Sequence, residues 1–341
     1  MDATIPGGNP VVPTRTGTTS TTTGTRVGPG PAGWSVGVDV GGTKVLAALL
    51  AADGAVAGTH RIPTVRGPDG LVAAVRTCVR ALAADHGLPL DALSGVGVGV
   101  PGVVDPATGS VEHAVNVGVE HPFRMADAIA AALGDGVPVR VENDLNAAVL
   151  GAAHTVDAVP TPRDLAFLAL GTGVAAGLLL DGTLRRGARR AAGEVGHLTL
   201  VPDGLPCACG QRGCVEQYAS GRALQAAWPS PDGRPAPLVL FADAAAGDAR
   251  AMAVRDRFAW AVAGAVRILV LTCDVDRVVL GGGVSGVGEP LLEAVRAELA
   301  RETAASPFLA SLRLAERVHL APRDVPVGAV GAALVGRGEV V

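Results

Sequence analysis

Four good zinc ligands fall close together in this chain: His197, Cys207, Cys209 and Cys214, spaced H-x9-C-x-C-x4-C within the stretch GEVGHLTLVPDGLPCACGQRGCVE from Gly193 to Glu216. A structural zinc ion takes four nitrogen and sulfur ligands in a closed tetrahedron. A chain wrapped around one ion has little conformational freedom left, so this stretch constrains the fold most. Gly210 and Gly213 lie in the tight Cys209–Cys214 loop, where permissive backbone angles are needed. The competing reading makes these cysteines buried small apolar groups. Three of them so close together, with two glycines and an upstream histidine, argue against it. A catalytic zinc with an open position is disfavoured, because four protein ligands are already in hand. Glu194 precedes the histidine and Glu216 follows the last cysteine, so a metal knot would fix both carboxylates in space.

The five cysteines are an odd count, and the other two, Cys78 and Cys273, stand in apolar stretches. They are expected to be reduced core residues, a pattern of a reducing compartment and hence of a cytoplasmic protein. No signal peptide is recognisable at the N-terminus. The most apolar run, around Ile268–Leu271, is bounded by Arg267 and Asp274 and is too short to span a bilayer, so no membrane partner is expected. The net charge is −4 without a basic block, so nucleic acid is not an expected partner either. A length of 341 residues suggests about two domains.

Residues 1–33 are mostly Thr, Gly and Pro. They offer too little apolar surface to offset their ordering entropy, and a disordered tail is expected. Order begins at Trp34. Three strands (35–40, 45–50 and 56–62) are separated by Gly41-Gly42 and Ala52-Asp53-Gly54, both hairpin signals. A helix over 71–85 follows, with Asp69 as its N-cap and Gly87 as its stop. A strand over 95–100, a helix over 123–133 and a strand over 137–141 complete the first half. The second half opens with strands over 165–170 and 174–180 around Gly171-Thr172-Gly173. After the cysteine stretch come a helix from about Glu216, helices over 239–246 and 249–271, and a strand over 277–280 leading to Gly281-Gly282-Gly283. A helix over 291–301, a strand over 317–320 and a last small-residue helix over 327–336 follow. Each half therefore opens with a Gly-rich hairpin and continues in alternating helices and strands, a duplicated α/β plan with a ligand cleft between the halves.

Asp39-Val-Gly-Gly-Thr-Lys44 joins a carboxylate, a Gly turn and the chain's single lysine. Glycines let backbone N–H groups approach phosphate oxygens. Thr43 adds a hydroxyl, and Asp39 is suited to Mg²⁺ directly or through water. An ordinary hairpin is the other reading. Gly171-Thr172-Gly173 is a second such turn in the second half, and the two turns are placed to grip one nucleotide from both sides. Gly281, Gly282 and Gly283, with Gly286, form a flat backbone suited to adenine or ribose. Glu142-Asn143-Asp144 ends a strand and starts a helix. Asp144 is either the cap of that helix or a general base at the cleft mouth, and Asn143 beside it can hydrogen-bond a polyol.

Seven motifs in this order carry a resemblance: DVGGTK at 39–44, VPG at 100–102, END at 142–144, LGTG at 170–173, GEVGH at 193–197, CACGQRGCVE at 207–216 and LGGG at 280–283. The chain resembles the ROK (repressor, ORF, kinase) family, and the run VPDGLPCACGQRGCVEQYASGRAL resembles actinobacterial glucokinases of that family. The resemblance covers essentially everything from Trp34 onward. It implies a two-lobed, actin-like ATPase fold (ribonuclease H-like), with lobes over 34–142 and 143–325, the zinc site in the second lobe, and a C-terminal helix over 326–341 packing back on the first. It implies Asp144 as the base that deprotonates a sugar 6-hydroxyl, and Asn116, Asn143, Glu194, His197 and Glu216 as ligands of sugar hydroxyls. His197 would serve both zinc and sugar. Asp39, Gly41, Gly42, Thr43, Lys44, Gly171, Thr172, Gly173 and Gly281–Gly283 would line ATP with Mg²⁺. A homodimer or homotetramer is the family's common assembly.

Two departures stand out. Valine occupies position 119, where the glucokinases often carry tryptophan, and is expected to reshape the sugar pocket. Val174-Ala175-Ala176 replace glycines after Thr172 and are expected near the phosphates. An ATP-dependent hexose kinase is the leading reading, with glucose first and an amino or N-acyl hexose (kanosamine, N-acetylmannosamine) second. A sugar-sensing repressor is disfavoured, because the residues before the first strand are too few and too polar for a DNA-binding module. A silent sugar-binding protein is disfavoured by the intact Asp144.

Overall fold

The computed structural model describes residues 25–26, 33–134, 136–155, 162–230 and 233–339. Most of the expected tail lies outside them. The pair Thr25–Arg26 does not fit a wholly unstructured tail: it forms a short strand, β1, paired antiparallel with Thr183–Leu184.

The first lobe is built on strands whose branched apolar side chains are buried on both faces. β2 (Trp34–Val40), β3 (Lys44–Leu50) and β4 (Val56–Pro63) form an antiparallel meander. Helix α1 (Pro68–Asp85) leads to β5 (Leu93–Val100), parallel to β2. A small antiparallel sheet follows, made of β6 (Val103–Asp105), β7 (Ser110–Glu112) and β8 (Phe123–Arg124). Helix α2 (Met125–Leu133) then leads to β9 (Val139–Asn143), parallel to β5. The main sheet runs β4-β3-β2-β5-β9. Helix α3 (Asp144–Thr155) starts at the very end of β9.

The second lobe repeats this topology. β10 (Leu165–Leu170), β11 (Val174–Leu180) and β12 (Thr183–Leu184) are antiparallel. After the cysteine stretch come α4 (Glu216–Ala219), α5 (Gly221–Ala227), α6 (Ala236–Ala245) and α7 (Ala249–Cys273). Asp248 caps α7 by accepting the Arg250 and Ala251 amides at 2.8 and 2.9 Å. β13 (Arg277–Gly281) pairs parallel to β10. α8 (Glu289–Thr303), α9 (Pro307–Ser311), β14 (Val318–Leu320) and α10 (Val327–Arg337) complete the chain. The order β12-β11-β10-β13-β14 matches β4-β3-β2-β5-β9 strand for strand, with β1 added at the edge.

Helices α3 and α10 follow the last strand of each repeat and cross one another between the sheets. They meet at glycines: a Cβ on Gly331 would lie 1.7 Å from the Ala147 carbonyl oxygen, and one on Gly151 1.8 Å from that of Val327. The opposite face of α10, also of small residues, lies on β2 and β5, where a Cβ on Gly97 would meet the Ala332 carbonyl oxygen at 1.7 Å. A buried arginine fixes the end of α10. Arg337 donates from Nε to Ser35 Oγ at 2.8 Å and from a terminal nitrogen to the Leu50 carbonyl at 3.2 Å. Each lobe has its own apolar core, and a third cluster lies around α3 and α10.

Several local expectations are corrected. Gly67, at φ 94°, caps α1 without a side-chain bond, and Asp69 sits in its first turn. The helix expected over 123–133 begins at Met125, because Phe123–Arg124 pair as a strand. The helix expected from Glu216 is two short ones divided at Ser220, whose hydroxyl accepts the Ala223 amide at 3.1 Å.

Candidate active site

The site grows from the junction of β9 and α3. Asn143, not Asp144, caps α3: its Oδ1 accepts the Leu145 and Asn146 amides at 3.0 and 3.3 Å. Its amide nitrogen donates to the Gly102 carbonyl at 3.1 Å. Asp144 is thereby left at the first helical position, where one oxygen accepts the Leu145 amide at 3.0 Å. Burial pushes the Asp144 carboxyl up to about 6; the Leu145 and Asp144 amides pull it down and the Glu194 charge adds to the rise. Asp39, at the end of β2, is pushed up to about 7, first by burial and then by the Asp144 charge, against the pull of Lys44. Asp39 packs so closely on the start of α10 that a Cβ at Gly328 would lie 2.8 Å from its Oδ2.

Two cavities meet at Asp144. One, of about 730 Å³, is lined by Asp39, Gly41, Lys44, Gly281–Gly283, Ser285 and Gly286. The other, of about 420 Å³, is lined by Asn116, Asn143, Glu194, His197 and Glu216, together with His113, Arg186 and Arg190. Asp144 and Leu145 border both. Among the expected phosphate-binding residues, Gly42, Thr43 and Thr172 line neither cavity, and Gly171 and Gly173 line the smaller one. A separate cavity of about 610 Å³, around Leu150 and Leu334, holds none of these groups.

The two family departures differ in their setting. Val119 is buried, pairs with Ala114 in an isolated bridge, and does not line the smaller cavity. Val174, Ala175 and Ala176 do line it, and do not line the cavity that holds the Gly281–Gly283 turn.

The side-chain ligand atoms of His197, Cys207, Cys209 and Cys214 all lie within 4.8 Å of one another. His197 Nδ1 is 3.8 Å from Cys207 Sγ, and the Cys209 and Cys214 sulfurs are 3.7 Å apart. Sulfurs bound at zinc distance in a tetrahedron are about 3.8 Å apart, so the cluster fits such an ion. The Gln211 backbone and side-chain N–H groups hold the exposed Cys209 thiol below the usual range, favouring the thiolate a metal needs. Glu216, two residues beyond Cys214, accepts the Val174 amide at 3.1 Å.

Reading the sequence alone missed the groups that tie the lobes together. Glu142 is 1% exposed and accepts the Asn143 amide, the Asn146 side chain and Arg186. A carboxylate ending a buried strand demands a cation, and that was the available signal. Nothing local paired it with Arg186.

The sequence and the fold have counterparts among known proteins. A sequence model of the ROK family matches residues 35–337. The glucokinase of Streptomyces coelicolor is 34% identical over 285 residues, 77% of this chain and 86% of that protein. The N-acetylmannosamine kinase of Salmonella typhimurium is 32% identical over 308 residues, 89% of this chain and 99% of that protein. A ROK family glucokinase from Streptomyces griseus, solved in complex with glucose and AMPPNP, superposes with a TM-score of 0.73 at 32% identity, covering 90% of this chain and all of that one.

Proposed function

The chain belongs to the ROK family, and on that premise we propose that it is an ATP-dependent hexose kinase that transfers the γ-phosphate to the 6-hydroxyl of glucose. The observation that carries this reading is Asp144, a half-buried carboxylate bordering both cavities. A base at that junction lies between a sugar hydroxyl on one side and a triphosphate on the other. The identity to a glucokinase whose structure holds glucose and AMPPNP supports the same pairing of substrates.

In this mechanism the hexose occupies the smaller cavity, held by Asn116, Asn143, Glu194, His197 and Glu216. The nucleotide occupies the larger one, with Gly41 and Lys44 along its phosphates and Gly281–Gly283 and Gly286 against its base or ribose; Gly42, Thr43, Gly171, Thr172 and Gly173 complete the two turns around the phosphates. Asp144 accepts the hydroxyl proton as the oxygen attacks in line, a contribution of about 10²–10⁴ in rate. Phosphoryl transfer otherwise depends on positioning and charge neutralisation. Asp39 would hold Mg²⁺, directly or through water, and the ion would neutralise charge on the triphosphate. His197, Cys207, Cys209 and Cys214 would hold a structural zinc ion that anchors the cavity wall carrying Glu194 and Glu216. Such thiolates need a reducing setting, in keeping with a cytoplasmic protein. A homo-oligomer is part of the same proposal, on the family resemblance. Among the described residues no helix is long and apolar enough to cross a membrane.

The test is ADP release by the purified protein with Mg-ATP, across glucose, mannose, N-acetylmannosamine, N-acetylglucosamine, glucosamine and kanosamine. Glucose is expected to dominate, and Asp144→Asn to abolish turnover while sparing sugar binding. Preference for N-acetylmannosamine would favour the second reading, which the identity to N-acetylmannosamine kinases supports. No turnover with any sugar, or full turnover by Asp144→Asn, would overturn the mechanism.

A further inference from the structure

Between β12 and the cysteine cluster the chain runs Arg185-Arg186-Gly187-Ala188-Arg189-Arg190, and two of these arginines reach carboxylates of the first lobe. Arg186 meets Glu142 at the end of β9, with Nε 2.8 Å and a terminal nitrogen 2.7 Å from Oε2. Arg190 meets Asp105 on β6, its terminal nitrogen 2.8 Å from Oδ1. Both arginines line the smaller cavity. The two pairs differ in setting. The Glu142 side chain is 1% exposed, and it stands two residues before Asp144, where the chain passes from one lobe to the other. The Arg190 and Asp105 side chains keep 35% and 40% of their surface in water, and Asp105 belongs to the small sheet outside the main one. Arg190 also holds a φ of 60°, a backbone state unfavourable to a residue with a side chain and retained where surrounding contacts hold it. The segment is thus fastened twice across the cleft, once at its floor and once at its rim.

We propose that the Arg190–Asp105 pair is a latch that closes the mouth of the smaller cavity over a bound hexose, with the buried Glu142–Arg186 pair as its pivot. The proposal rests on the hexose-kinase reading of that cavity. Lobes that separate about the β9–α3 junction move least at Glu142 and most at the rim, so the exposed pair is the one that breaks when sugar enters or leaves. Arg190 is then a positioning residue that retains sugar and leaves the chemical step untouched. An exposed ion pair changes an equilibrium by up to about fivefold, and salt at about 1 M, where the screening length is about 3 Å, removes most of that.

The experiment measures KM for glucose and kcat at saturating Mg-ATP on the full chain, in about 0.1 M and about 1 M salt. It compares the wild type with Asp105→Asn, Arg190→Gln and the double variant. Asp105→Asn keeps one oxygen for the Ala107 amide, which Oδ1 now accepts at 3.3 Å, and puts an NH₂ group where Oδ2 now accepts the Thr108 hydroxyl at 2.9 Å, a contact the hydroxyl can keep by accepting in turn. Each single variant is expected to raise KM about two- to fivefold with kcat nearly unchanged. The double is expected to match the singles, and only the wild type to weaken with salt. The exchanged pair, Asp105→Arg with Arg190→Asp, is expected to recover part of the lost affinity. An active wild type whose variants keep its KM, add their effects, or lose kcat in place of KM would overturn the latch alone. A wild type that phosphorylates no hexose would overturn the latch and the kinase reading together.

Discussion

Glu216 and Val174 are joined across the second lobe: the carboxylate Oε2 of one accepts the backbone N–H of the other at 3.1 Å. Glu216 stands just beyond the last cysteine of the cysteine–histidine cluster, and Val174 opens β11 after the Gly171-Thr172-Gly173 turn. The cysteine cluster and the hairpin turn therefore form one wall. Gly173 is the residue that lets them touch, since a Cβ there would lie 2.3 Å from Glu216 Oε2. The atom in the way ends a side chain that can swing aside. Gly173→Ala is thus expected to fold normally, to displace Glu216, and to raise KM for hexose about tenfold or more, the scale of a lost charged hydrogen bond. Steady-state kinetics with a parallel thermal melt checks this. An unchanged KM, or a collapsed Tm with no active protein, would count against it.

The half-buried acids Asp39 and Asp144 set opposite pH demands on stability and activity. Asp144 sits at about 6 in the fold against an ordinary 3.8, and Asp39 at about 7. Each binds its proton more tightly folded than unfolded, so the fold gains stability as pH falls through these values and loses it as pH rises. A base must be ionised, so kcat/KM is expected to fall about tenfold per unit below about pH 6. Calorimetry between about pH 5 and pH 8 is expected to give a falling Tm. Asp144→Asn should flatten that slope and stabilise the ligand-free protein at the alkaline end by roughly 1–3 kcal/mol. A Tm that climbs with pH in the wild type would contradict the shifts.

Removal of the metal is expected to unfold the wall it holds. Elemental analysis should find one zinc ion per chain, and Cys209→Ser should lose it. Stability should drop by several kcal/mol, as at other structural zinc sites. Thermal melts with and without a strong chelator read the effect. A zinc-free Cys209→Ser protein with wild-type Tm and activity would refute the scaffold role.

The crossing of α3 and α10 should tolerate no added atom. Gly331→Ala would put a methyl 1.7 Å from a backbone oxygen of α3. Backbone cannot swing aside, and a loss of at least about 2–3 kcal/mol is expected. Gly283→Ala meets nothing within 4 Å and serves as the comparison, with Tm near wild type. Denaturant titration of both variants checks the contrast. Equal stability of the two would mean the helices can separate at little cost.

The sequence by itself determined the strands, most helices, the Gly-rich turns and the cysteine–histidine cluster. Each is written in residues near one another in the chain: runs of branched and small apolar side chains make β2 and β3, and His197, Cys207, Cys209 and Cys214 need only a short loop to meet. The duplicated plan was legible for the same reason, because each half repeats its local signals in order. Tertiary structure alone decided which of those residues face which cavity. It buried Val119 away from the site and turned Val174–Ala176 into the smaller cavity. It also paired Glu142 with Arg186, 44 positions on, and Asp105 with Arg190, 85 positions on. Such pairings depend on how two sheets stack across crossing helices. No local periodicity encodes that stacking, because it is set by the packing of whole surfaces, down to the glycines where α3 and α10 touch.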